Sequence, residues 1–114
     1  MNNKPKILVV CGKNKRRSRT AEYIFKNDSR FLLRTAGLSP KSEIQISERS
    51  ISWANLILVM EKGHKNKISN LYRNIELPRI EVLDIEDNYE YLEEELIELL
   101  KERINQTLEI IYQI

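Results

Sequence analysis

The sequence contains a single cysteine, Cys11, among 114 residues. That excludes an intrachain disulfide framework, a cysteine-rich zinc site and any relay of several thiols. Glycine and proline are scarce, three of each, and no Gly/Ser linker or low-complexity tract divides the chain, so a single domain over residues 1–114 is expected. No apolar run approaches the roughly 20 residues of a membrane helix. The apolar stretch near the start is shorter than a signal-peptide core and runs into a charged loop, so the expectation is a cytoplasmic protein with no membrane partner. Histidine occurs once, at His64, and no His, Cys and carboxylate cluster has ligand spacing. No metal or cofactor is implied.

What is present is close to globular average, with 41% hydrophobic and 32% charged residues. The net charge of +2 conceals an asymmetry. Residues 1–30 carry nine Lys/Arg against Glu22 and Asp28, a net +7, whereas residues 81–103 carry ten Asp/Glu against Lys101 and Arg103, a net −8. Either the basic part attracts an anion, or the two parts are solvated faces that pair with each other.

Short apolar runs alternate with helical patterns. Ile7–Val10 and Leu56–Met60 are apolar at consecutive positions, as central parallel strands covered on both faces require. Phe31–Thr35 reads as a weaker strand closed by a turn over residues 36–40, and Ile80–Leu83 as an edge strand. Between them, helices are expected over Ser18–Lys26, from Ser47 to Trp53, and over Glu61–Leu71. From Leu92 onward, Leu96, Leu99, Leu100, Ile104, Leu108 and Ile111 keep helical spacing to the end. The alternation implies a three-layer α/β domain: a small parallel sheet with helices on both faces.

In such sheets ligands bind beyond the carboxyl ends of the strands. The first such end leads through Cys11, Gly12, Lys13, Asn14, Lys15, Arg16 and Arg17 to Ser18 at a helix start. A loop entering a helix aims several backbone N–H groups at one point, which suits a phosphate. A cysteine amid those donors is favoured as thiolate, the nucleophilic form. Arg17 can fold back so that its planar fork holds two oxygens of the same phosphate. A lone cysteine is more often an inert small hydrophobe, and a basic run more often a solvated face. Cys-x5-Arg-Ser between strand and helix is much rarer by chance than either feature alone, and it favours the catalytic reading.

These residues resemble the low-molecular-weight protein tyrosine phosphatases, whose first strand ends in Cys-x5-Arg-Ser. Cys11, Asn14, Arg17 and Ser18 fall on matching positions. Thr35-Ala36-Gly37 is similar to that family's segment after its second strand, and residues 54–60 followed by Glu61 are similar to its third strand. The run from Ile85 through Glu86, Asp87 and Asn88 to Tyr89 resembles its acid loop. The chain departs from the pattern at Lys13 (commonly Gly), Arg16 (often a second cysteine), Arg19 and Asn88 (both usually Pro), and it is shorter than typical members. The resemblance implies a phosphatase I-like fold with a four-stranded parallel sheet, and a phosphomonoester hydrolase working through a phosphocysteine. Its substrate would be a phosphorylated protein or a small phosphomonoester.

On that resemblance Cys11 is the nucleophile, and Arg17 with the loop Gly12, Lys13, Asn14, Lys15, Arg16 and Ser18 binds the phosphate. Asp87 is the general acid, with Asp84 as runner-up. Asn14 has a structural role, and its residue type suits a left-handed backbone. Ser18 supports the thiolate, caps the helix, or does both. Tyr89 and Tyr91 either wall the site or pack on the sheet. His64 reads as an ordinary surface or helix-cap group.

Three other functions compete. A cysteine phosphocarrier of the sugar-transport IIB type shares a similar opening, but small residues usually follow its cysteine. Arsenate reduction passes oxidation through further cysteines, which this chain lacks. A non-catalytic phosphate- or nucleic-acid-binding module would use Lys13, Lys15, Arg16, Arg17 and Arg19, but no aromatics interleave that run.

Overall fold

A computed structural model of the chain describes residues 4–114. Eight elements alternate along it: β1 (Lys6–Cys11), α1 (Arg17–Phe25), β2 (Leu32–Gly37), α2 (Glu48–Trp53), β3 (Leu56–Val59), α3 (Lys62–Leu71), β4 (Arg79–Val82) and α4 (Glu94–Tyr112). The strands form one parallel sheet in the order β2-β1-β3-β4. The three-layer α/β architecture expected from the sequence is thus present, with β4 at an edge.

The two strongest apolar runs occupy the two central strands because only there are both faces covered. Ile7 to Val10 and Leu56 to Val59 are all essentially inaccessible to solvent. Alternation along the strands divides the core in two. Ile7, Val9, Cys11, Leu56 and Leu58 meet Ala21 and Phe25 of α1 and Leu96, Leu100, Ile104 and Leu108 of α4. Leu8, Val10, Ile57 and Val59 face the other way, onto Ile51 of α2 and Ile68 of α3.

Element boundaries differ from expectation by a residue or two, except that β2 continues to Gly37 and its turn starts later than residue 36. The extra length comes from parallel pairing to β1, which places Ala36 beside Val10 and Gly37 beside Cys11. Helix α2, only six residues long, is held by a capping box in which Ser47 and Ser50 satisfy each other's backbone N–H groups. Helix α4 has 19 residues and starts with Glu94 and Glu95, acids favourably placed at the positive end of its dipole. Its end is tied back by Arg30, which is fastened to Asp28 and donates to Asn105 Oδ1 (2.8 Å) and the Ile114 carbonyl (3.2 Å). No helix among the described residues is long and apolar enough to cross a membrane.

Leu100 fills the centre of one half-core, so Leu100→Ala should lower unfolding free energy by about 2–5 kcal/mol. Ile110, on the same helix but 71% exposed, should change it by less than about 0.5 kcal/mol when replaced by Ala. Urea denaturation of both variants checks the contrast.

Candidate active site

The carboxyl ends of β1 and β3 and the loop after β4 converge on one cavity of about 310 Å³. Its lining comprises Cys11, Gly12, Lys13, Lys15, Arg16, Arg17, Glu61, His64 and Asp87. Cys11 closes β1 and is 3% exposed, so it belongs to the core and to the cavity floor at once.

The loop from Gly12 to Arg16 turns tightly because Asn14 takes a left-handed conformation (φ 51°), which Asn tolerates better than most residues. The first amide beyond the strand to close onto the backbone is that of Thr20, donating to the Arg16 carbonyl (3.0 Å). Ahead of it, the amides from Lys13 through Ser18 have no backbone acceptor among the described residues. They form a cluster of unspent donors at the positive end of α1. The loop's carbonyls are engaged on the opposite side: Leu38 N–H donates to Cys11 O (3.0 Å) and Ser39 N–H to Gly12 O (2.7 Å). This clamp needs a glycine at position 37. A Cβ there would lie 2.7 Å from the Asn14 nitrogen and 2.1 Å from Ser42 Oγ.

Beneath the loop, Ser18 Oγ lies 3.1 Å from Cys11 Sγ and 2.8 Å from Asn14 Oδ1. One hydroxyl proton serves only one of the two. With a thiol, sulfur donates to Ser18 and Ser18 donates to Asn14. With a thiolate, Ser18 must turn its proton to sulfur, and Asn14 must then offer an N–H. Asn14 Nδ2 is buried without a partner, and a half-turn of the amide brings it onto Ser18 Oγ. Ser18 is the second residue of α1, and the cap position belongs to Arg16, which makes no side-chain cap. The helix-cap role expected for Ser18 is therefore not realised. Asn14 and Ser18, expected among the phosphate contacts, lie outside the cavity lining and under the loop.

Arg17 is 4% exposed and joins three chain segments. Its Nη1 donates to Glu61 Oε2 (2.6 Å) at the end of β3 and to the Ile85 carbonyl (2.8 Å) after β4, while its Nε faces Asp87 Oδ1 at 3.6 Å. Asp87 thus sits at the cavity. Asp84 is exposed in a left-handed turn (φ 60°) and does not line it. Arg103 of α4 holds this loop by donating to the Leu83 and Asp84 carbonyls. Tyr89 packs on the core, whereas Tyr91 is half exposed over a neighbouring groove with Lys15, Arg16 and Arg19. Neither tyrosine lines the cavity that holds Cys11.

His64 is no ordinary surface group. It lies one helical turn after Glu61, its side chain is 15% exposed, and it lines the cavity with Nε2 3.8 Å from Glu61 Oε2. The available signal was its position just beyond the carboxyl end of a central strand. The Arg17 hydrogen bond holds the Glu61 carboxyl below its ordinary value. Burial pushes His64 below its ordinary value, aided by Arg17 and Lys67 and opposed by Glu61 and Asp87.

No family model matches the sequence, and no curated protein is similar enough in sequence to be matched. Solved structures do match over nearly the whole chain. SP-PTP, a low molecular weight protein tyrosine phosphatase from Streptococcus pyogenes, is 14% identical with a TM-score of 0.74, covering 94% of this chain and 93% of its own. The chain shares the fold of the low-molecular-weight protein tyrosine phosphatases. Tyrosine phosphatase Wzb from Escherichia coli K30, in complex with phosphate, is 19% identical with a TM-score of 0.69, covering 96% and 99%. YwlE arginine phosphatase from Geobacillus stearothermophilus is 20% identical with a TM-score of 0.65, covering 95% and 97%.

Two outcomes test the geometry. Gly37→Ala should cost about 1–3 kcal/mol by overpacking and should shift the amide NMR signals of residues 13–18. Acidification should destabilise the fold in two stages. Keeping His64 neutral stabilises the fold above the ordinary histidine value of 6.5, and this contribution fades as pH falls below it. The Glu61 contribution is present above 4.5 and is lost as pH falls through its lower folded value. In urea midpoints measured against pH, His64→Gln should flatten the first stage and Glu61→Gln the second.

Proposed function

We propose that this chain is a cysteine-dependent phosphatase acting on phosphomonoesters, with a phosphotyrosyl protein as the expected substrate. The observation that carries this reading is the placement of Cys11 and buried Arg17 on one cavity whose rim is a run of amides without backbone acceptors.

In the proposed reaction the Cys11 thiolate attacks phosphorus in line, and the bond to the leaving oxygen breaks. The loop amides and Arg17 hold the equatorial oxygens and stabilise the charge they gain. Asp87 gives its proton to the leaving oxygen, so a neutral alcohol or phenol departs and phosphocysteine remains. A water then loses a proton to Asp87 and attacks phosphorus, and the sulfur leaves as thiolate with Ser18 donating to it. The products are inorganic phosphate and the starting enzyme, with no metal or cofactor called on. Arg17 and the acid loop support hydrolysis over a stable phosphocysteine carrier. The phosphatases of the same fold support it as well.

Purified protein should hydrolyse para-nitrophenyl phosphate, and Cys11→Ser should abolish this. Arg17→Ala should lower kcat/KM by about 10²–10³-fold or more. Asp87→Asn should lower kcat by about 10²–10⁴-fold with little effect on KM, and Asp84→Asn should leave both near wild type. Unimpaired hydrolysis by Cys11→Ser would reject the mechanism. A parallel panel of phosphotyrosyl peptides, phosphoarginine and sugar phosphates ranks the substrates. Steeply salt-dependent polynucleotide binding without turnover would instead favour a binding module.

A further inference from the structure

Cavity residue His64 is left without a task by the proposed chemistry. Packing does not explain it. Its Nδ1 is buried with no partner among the described residues, an arrangement less favourable than a satisfied or apolar side chain. Its Nε2 lies 3.8 Å from Glu61 Oε2, beyond hydrogen-bond reach. That oxygen is the one that accepts from Arg17 Nη1 at 2.6 Å. Arg17, Glu61 and His64 therefore form a chain through one shared oxygen atom, and the carboxylate has two possible cationic partners.

Which partner it takes depends on charge in the cavity. The groups facing His64 are Glu61 and Lys67 on its own helix side, Arg17 from α1 and Asp87 from the loop after β4. Without a ligand, burial together with the Arg17 and Lys67 charges favours the neutral imidazole, and Glu61 accepts from Arg17. A phosphate beside Cys11 adds up to two negative charges, and this favours imidazolium. The same phosphate competes with Glu61 for the Arg17 donors.

We propose that His64 is a positioning residue. When a phosphate group arrives, His64 takes a proton from solvent, draws the Glu61 carboxylate to its Nε2, and so frees Arg17 Nη1 for a phosphate oxygen. The inference rests on the phosphatase reading of the cavity. Only a proton moves in this step: an N–H bond forms on the imidazole as an O–H bond of a solvent hydronium breaks, and the proton returns to solvent when phosphate leaves.

The chain's only histidine makes the test direct. Imidazole NMR signals of the full chain are followed against pH, with and without saturating inorganic phosphate. The midpoint of His64 should rise by about one pH unit or more with phosphate, and by less than half as much in Glu61→Gln. In parallel, inhibition by inorganic phosphate should weaken about tenfold in His64→Gln at about pH 6 and little at about pH 8. A permanent cation in His64→Lys should retain tight inhibition at both. The expected kinetic signature of His64→Gln is a raised KM with kcat largely kept.

A His64 midpoint that does not move, while the amides of residues 13–18 shift with phosphate, would overturn the inference and leave the phosphatase reading intact. Equal shifts in wild type and Glu61→Gln would overturn it too, because His64 would then be sensing the phosphate directly. If phosphate moves neither the imidazole nor the loop amides, both readings fail. If Glu61→Gln does not fold, the wild-type titration still decides the first and last of these outcomes, and the pH dependence of phosphate inhibition in His64→Gln decides between positioning and no role.

Discussion

A single guanidinium ties the site together. Arg17 springs from the first turn of α1, yet its donors end on Glu61 after β3 and on the Ile85 carbonyl after β4, with Asp87 alongside. Parallel strands 2-1-3-4 bring their carboxyl ends to one rim but do not fix the loops beyond them. The two hydrogen bonds of the buried Arg17 Nη1 tie two of those loops to α1, because leaving a buried cation without acceptors would be costly. The position of the acid loop relative to the cysteine is thus set by electrostatics as much as by the sheet.

That arrangement also resolves the charge asymmetry along the chain. The alternatives were a basic region facing a ligand and two charged faces facing each other. Both hold in part. Arg16 pairs with Glu90 and Arg17 with Asp87, joining the basic start to the acidic end. Lys13 and Lys15 still line the cavity without a carboxylate partner among the described ion pairs. The neutralising contacts are strongest where Arg17 is buried and weakest at the exposed rim, where screening leaves surface pairs little stabilisation.

The fold was legible because it rests on runs that no other element tolerates. Four consecutive apolar residues, as in Ile7–Val10 and Leu56–Val59, belong in a strand covered on both sides. The leucine spacing of α4 admits one buried helical face. The placing of Cys11 and Arg17 on one cavity was legible from spacing, since both lie on the same short segment between a strand and a helix. His64 was legible only from its place just beyond the end of β3, because its residue type on a polar helix does not distinguish it from a surface histidine. Only the packing of α3 on β3, with the strand's end facing the cavity, turns it inward. The role of Ser18 was half legible: its contact with the cysteine follows from the loop, but the cap position shifts to Arg16 because the helix starts one residue earlier.

Helix α4 is the final element, and it supplies Leu96, Leu100, Ile104 and Leu108 to the half-core under Cys11. Its Arg103 also fastens the acid loop. During synthesis the strand that ends in Cys11 emerges about eighty residues before this helix begins, and the face it shares with α1 lacks the α4 part of its cover for all of that interval. The nascent chain therefore carries Cys11 long before α4 exists, and the apolar bed beneath that residue is completed only once this helix has been made.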